Sequence, residues 1–168
     1  YYYHSLQQVK CKEQLISGDI HSVDDTSITA STYYGYAHAP SRGRLDTSVM
    51  ILSGLASCWA PGVSNADQWI QADLGEIMLV MGVVTRGRQS NAYHHWVTSY
   101  KFLYGETENN LEEYRMILQG NEDRYTHAIN LIEPPVLARF VRINPLTWHK
   151  AICMTFDVLG CPGPKGTK

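Results

Sequence analysis

The chain has 168 residues, 44% of them hydrophobic and 18% charged, with a formal charge of -2 and a pI near 6.4. That length suits one domain with a real core, and the composition excludes a disordered chain. No apolar run approaches the roughly 18 residues of a membrane span, and the Arg and Lys residues are scattered, so nucleic acid is not an expected partner.

The first 26 residues are mixed and polar, with turn signals at Gly18 and Asp24-Asp25, and they lead into a predicted strand over Ser27 to Ser31. Tyr33-Tyr34-Gly35-Tyr36-Ala37-His38-Ala39-Pro40 follows, where Gly and Pro forbid a long regular element and three Tyr crowd into four positions. This reads as a loop with aromatic tips, either a contact surface or a loop folded back on the core. Val49-Met50-Ile51-Leu52 lies between turn formers and is either a short buried strand or an exposed apolar tip.

Trp69 to Gly75 alternates with period two, setting Ile70, Ala72 and Leu74 on one side and Trp69, Gln71 and Asp73 on the other. A Trp, an amide and a carboxylate on a covered face need polar partners, so these three are expected to tie the strand to neighbouring loops, with Gly75 ending it. The run Ile77 to Thr85 is nearly all apolar and reads as a strand buried on both faces. Arg86-Gly87-Arg88-Gln89-Ser90-Asn91 opens a loop carrying Tyr93, His94, His95 and Trp96. No carboxylate or Cys stands at ligand spacing from the two adjacent His residues, so they read as exposed imidazoles and no metal site is expected there. Further short strands are predicted over Val97–Tyr104, Tyr114–Leu118, Thr126–Ile132, Ala138–Asn144 and Ile152–Leu159, with breaks at Glu133-Pro134-Pro135 and Asn144-Pro145. Many short strands and no long helical period argue for an all-β antiparallel sandwich or barrel. Gly160, Gly163 and Gly166 recur at every third position, too few triplets for collagen, and the tail reads as a linker.

Four cysteines, Cys11, Cys58, Cys153 and Cys161, lack the paired short spacing of a zinc site. Disulfides are the expectation, with Cys11 and Cys161 bracketing nearly the whole chain, and they imply an oxidising compartment, hence a secreted or extracellular protein. The sequence contains no Asn-x-Ser/Thr acceptor and no signal peptide, so Tyr1 reads as the start of a mature or excised segment.

The series Ile28-Thr-Ala-Ser31, Arg44-Leu45, Trp59, Trp69-Ile-Gln-Ala-Asp-Leu-Gly75, Gly82-Val-Val-Thr-Arg-Gly-Arg88, Trp96-Val-Thr-Ser-Tyr-Lys101, Gln119-Gly-Asn-Glu-Asp123, Pro134-Pro135, Ala138-Arg-Phe-Val-Arg-Ile143, Pro145, Trp148 and Leu159-Gly-Cys161 resembles the discoidin domain, also called the coagulation factor V/VIII C-type domain. The resemblance covers residues 11 to 161, leaving 1–10 as a lead-in and 162–168 as a tail. It implies an eight-stranded antiparallel jelly roll whose ends are joined by a Cys11–Cys161 disulfide. By likeness to collagen-binding discoidin receptors it also implies a Cys58–Cys153 bridge, although here Cys58 precedes Trp59 where the receptors' Cys follows its Trp.

The family's ligands bind at loops on one end of the barrel. Carried over, these loops hold Tyr33, Tyr34, Tyr36 and His38, then Val49, Met50, Ile51 and Leu52, then Arg86, Asn91, Tyr93, His94, His95 and Trp96. The implied function is a non-catalytic adhesion module within a larger extracellular protein, recognising a cell-surface glycan or protein. The alternative is peripheral binding to anionic phospholipid through apolar tips. No cofactor is implied; a structural Ca2+ would fall to Asp46 or Asp123. Thr155 stands where the last strand usually carries Arg, and Ser64 lies near the Asp with which neuropilin-like members hold a terminal Arg.

Overall fold

The computed structural model describes residues 11–164, so the expected lead-in 1–10 and the tail residues 165–168 lie outside the described residues. Eight antiparallel strands form a jelly-roll sandwich: β1 (Glu13–Gln14), β2 (Ile28–Ala30), β3 (Ile70–Arg86), β4 (Trp96–Gly105), β5 (Glu112–Glu113), β6 (Leu118–Gln119), β7 (Ala128–His149) and β8 (Thr155–Pro162). Two long bent strands serve both layers. The first part of β3 pairs with β2 and with Phe140–Ile143 of β7, while Met78–Arg86 runs between the first part of β7 and β8. β4 pairs with the second part of β7 and carries β5 and β6 on its other side.

Gly75 therefore does not end a strand. It sits at φ +82° in a bulge where the register with β7 jumps from Asp73–Phe140 to Met78–Ala138, and a residue without Cβ makes that bend cheap. Glu133-Pro134-Pro135 does not break β7 either. The prolines fall in the unpaired segment between Leu131–Gly82 and Val136–Val80, where the missing N–H costs no ladder bond. Pro145 is likewise carried within β7, at a register shift against β4. Tyr114–Leu118 is mostly loop rather than strand, since Met116 and Ile117 both face solvent and offer no buried side. Gly160 to Pro162 belong to β8, and the Gly163 N–H donates to the Ile77 carbonyl (3.1 Å), so the sheet reaches into the predicted linker.

The core gathers Trp59, Tyr100, Phe102, Phe156, Ile70, Leu74, Met78 and Ile143 between the layers. Ile70, Ala72 and Leu74 face it as the alternation requires. The opposite face of the same strand is tied mainly to a strand rather than to loops. Asp73 takes two bonds from Arg139 (2.8 and 3.0 Å), Gln71 accepts from Arg142 Nε (2.8 Å), and the Arg142 guanidinium lies 3.9 Å over the Trp69 ring. Only Gln71 reaches a loop, donating to Glu108 (3.2 Å). Within the run Ile77 to Thr85, β3 is buried on both faces only from Gly82 to Thr85; earlier, Met78 and Val80 are buried while Ile77 is exposed and Leu79 and Met81 are half-exposed.

Both disulfides form as the resemblance implies, Cys11–Cys161 and Cys58–Cys153. The first joins the segment before β1 to β8, at the two ends of the described residues. Nearby, the buried Asp157 carboxylate accepts main-chain N–H bonds from Leu15, Ile16 and Ser17 (3.1, 2.9 and 2.9 Å) and fixes the N-terminal segment against β8.

Candidate functional site

Three loops converge at the end of the barrel where β3 finishes and β4 begins. The first, Thr32–Ala39, is held at its base by Trp59 Nε1 donating to the Thr32 carbonyl (3.0 Å) and by the Tyr34 N–H donating to Ala60 (2.8 Å). Gly35 at φ +68° turns it, and Tyr33, Tyr34 and Tyr36 stand in solvent. The Ala56 N–H donates to Ala37 (3.0 Å) and joins this loop to the second.

In the second loop Met50 and Leu55 exchange main-chain bonds of 3.0 Å around a one-turn 3-10 helix, Ile51–Ser53, closed by Gly54 at φ +68°. Arg42 braces the loop from beneath, Nε donating to the Ala56 carbonyl (2.8 Å) and Nη2 to that of Ser48. Of the two conformations open to Val49–Leu52, the structure takes the exposed tip: Ile51 is 85% exposed and Leu52 entirely so. Four adjacent apolar side chains leave a strand no polar face to show to water, and a tight turn at the summit removes any partner strand.

The third loop, Gly87–His95, is tied to the second by Ser57 Oγ donating to the Gln89 carbonyl (3.1 Å), and Arg124 Nη1 donates to Ser90 (2.6 Å) from below. Tyr93 is exposed, with the Arg88 guanidinium 4.2 Å from its ring centroid.

Between these loops lie two adjoining crevices, of about 420 and 300 Å3, that share His38, Arg88 and Tyr93. Tyr34, Val63 and His95 wall the first, and Val49, Met50 and Ile51 the second. Among the described residues neither has a carboxylate in its wall, so Arg88 gives both a positive floor. Burial, and after it the charges of Arg88 and Lys150, hold the His95 imidazole below its ordinary value, so it is neutral at pH 7.

His38, which the resemblance places among the ligand-binding loop residues, is buried. Its Nδ1 lies 3.1 Å from the Cys58 carbonyl, and since a carbonyl only accepts, Nδ1 carries the proton. Burial lowers its pKa, and the nearby Arg88 charge acts in the same direction. His38 Nδ1, Cys58 Sγ and Cys153 Sγ lie within 4.8 Å of one another, but both sulfurs are bound in the disulfide and Nδ1 is protonated, which leaves no metal-ligand set.

Other predicted site residues are partly engaged elsewhere. Trp96 opens β4 and stacks one ring face on His149 at 4.2 Å, so it is no tip. Arg86 pairs with Asp46 (2.8 Å), and His94 meets Arg124 (3.2 Å), while Asn91 is exposed. Asp46 also accepts from His127 (2.7 Å), and Asp123 accepts from the Tyr125 and Thr126 N–H groups, so each carboxylate offered for Ca2+ already has protein donors. Ser64 Oγ accepts from the Ile152 N–H (3.0 Å), a structural role. Sequence reasoning missed Val63, half-exposed on a fourth short projection, though the Pro61-Gly62 turn dipeptide marks that loop. Arg88 is also absent from the predicted contact residues, and nothing in the local pattern reveals that the loops close around it.

The F5/8 type C domain family profile matches residues 27–158. Lactadherin of Bos taurus is 32% identical over 164 residues, covering 90% of this chain and 37% of that protein. Human coagulation factor VIII is 32% identical over 148 residues, covering 83% of this chain and 6% of factor VIII. Among solved structures, discoidin II of Dictyostelium discoideum superposes with a TM-score of 0.75 at 25% identity, over 84% of this chain and 57% of that one. The chain thus spans well under half the length of these two curated relatives.

Proposed function

Because this chain belongs to the F5/8 type C domain family, a family of binding modules, we propose that it is a peripheral membrane-binding module of an extracellular protein, seating its apolar loop tips in an anionic phospholipid surface. The observation that carries this reading is the second loop: Ile51 and Leu52 project as the two most exposed apolar side chains of a summit that Arg42 and the Met50–Leu55 bridge hold rigid. A soluble domain gains nothing from presenting such a tip to water, whereas a bilayer interface rewards it.

Complete burial of an Ile or Leu side chain contributes about 1.5–3 kcal/mol, so this pair alone approaches the roughly 5–6 kcal/mol that matches an association constant near 10⁴ per molar. Tyr33, Tyr34, Tyr36 and Val63, exposed on the neighbouring projections, would settle at headgroup depth, where an amphipathic ring is at home. Arg88, set in crevices without a carboxylate, supplies the attraction to an anionic headgroup that the near-neutral whole chain lacks. Two disulfides suit an extracellular setting.

A glycan or protein ligand keeps one observation in its favour. The larger crevice offers Tyr34 and Tyr93 rings beside the Arg88 guanidinium, which fits stacking on an acidic sugar. Co-sedimentation with phosphatidylcholine vesicles, with and without phosphatidylserine, set beside binding to a glycan array, separates the two. The membrane reading predicts pelleting that depends on phosphatidylserine and is lost in Met50→Ser/Ile51→Ser. Glycan binding that survives this double substitution, with no pelleting of the parent chain, would reject it.

A further inference from the structure

Away from the loops, the sandwich carries an apolar groove of about 550 Å3 on its flank, toward the end clasped by Cys11–Cys161. An antiparallel sheet with one face on the core normally turns polar side chains outward on the other. Here Ile129, Leu131, Met81 and Leu159 point out across three adjoining strands, and Leu131 is 65% exposed. Leu131 and Leu159 both register with Gly82, so the absent side chain at the centre deepens the channel between them.

Among the described residues the charged groups in the groove wall are Lys12 and Glu133, and they stand on opposite sides. Lys12 immediately precedes β1, the outermost strand, whereas Glu133 lies on β7, with β8 and β3 between them. At the usual strand spacing this separates the two by about 14 Å. A face with an apolar centre, a cation on one flank and an anion on the other is complementary to itself after a half-turn. A lipid surface does not match it, being flat and anionic, with nothing to meet Glu133.

We infer that this groove is a self-association surface, on which a second copy of the chain docks about a two-fold axis so that Lys12 of each copy meets Glu133 of the other. The dimer leaves both sets of loop tips uncovered, and two weak membrane contacts then act as one stronger one.

Sedimentation equilibrium of the whole chain from about 1 to about 200 µM measures the association directly. The expected result is a concentration-dependent dimer whose dissociation constant rises at least about tenfold in Leu131→Asp, a site exposed enough to leave the fold intact by near-ultraviolet circular dichroism. Lys12→Glu and Glu133→Lys are each expected to weaken it roughly two- to fivefold, and the double reversal to restore it. A chain that stays monomeric across the range overturns the inference, as does a dimer indifferent to Leu131→Asp or one that the double reversal fails to restore. A monomer whose vesicle binding falls in Leu131→Asp overturns it too, and assigns the groove to lipid.

Discussion

Asp157 turns both carboxylate oxygens onto the main-chain N–H groups of Leu15, Ile16 and Ser17, of which Leu15 also donates to the Val158 carbonyl (3.0 Å). Burial pushes its carboxyl up, and the four main-chain bonds work against that, so the site holds an anion at some cost in order to fix the N-terminal segment. Asp157→Ala leaves the buried Ile16 and half-buried Ser17 N–H groups without their acceptor and is expected to destabilise by about 2–3 kcal/mol in chemical denaturation, with Asp157→Asn costing less because Oδ1 is kept. Thr155 is the reverse case. Its hydroxyl is buried with no partner among the described residues, so Thr155→Val is expected to be neutral or to stabilise by up to about 1 kcal/mol. His38 and His95 are both held below 6.5, and the unfolded chain therefore binds protons that the folded chain refuses. Their contribution is fully present above pH 6.5 and is lost as the pH falls through the lower folded values. Melting temperature should drop on acidification, and the drop should be smaller in His38→Asn/His95→Gln, where the introduced side-chain amide keeps a donor for the Cys58 carbonyl; equal slopes would contradict this.

The elements explain which parts of the fold could be read in advance. Period-two alternation at Ile70, Ala72 and Leu74 named the core face correctly because each of those residues meets the opposite layer. The same reasoning cut β3 at Gly75 and β7 at Pro134-Pro135, since Gly and Pro end ordinary strands; in these long bent strands they occupy bulges, and only the partner strand's register reveals that. Val49–Leu52 was ambiguous for a similar reason, because whether an apolar run is covered depends on a partner the local sequence does not specify. The second loop's rigidity comes from Arg42 and from the bridge of Cys58 to Cys153, 95 residues apart. In the chain-entropy model a bridge of that span is worth about 4–5 kcal/mol, so Cys58→Ala/Cys153→Ala should lower stability by an amount of that order in denaturant titration and loosen the loop end first. A loss below about 1 kcal/mol would show that packing alone holds the loops.

Taken whole, the molecule separates two surfaces. Its loop end bears Tyr33, Tyr34, Tyr36, Val49 to Leu52 and Tyr93 around a crevice floored by Arg88, and its flank bears the groove between Lys12 and Glu133. The order of motifs along the chain carried the architecture and the identity of the three loops, whereas the convergence of Arg88, His38 and Tyr93 came only from their packing. Membrane attachment at the loop end should combine an apolar part, insensitive to salt, with an electrostatic part that weakens as ionic strength rises. The most direct measurement is co-sedimentation of Ile51→Asp/Leu52→Asp with phosphatidylserine-containing vesicles beside the parent chain, after unchanged melting has shown the fold intact. Loss of at least about tenfold in vesicle affinity is the predicted result; affinity within about twofold of the parent would show that the exposed tip does not enter the bilayer.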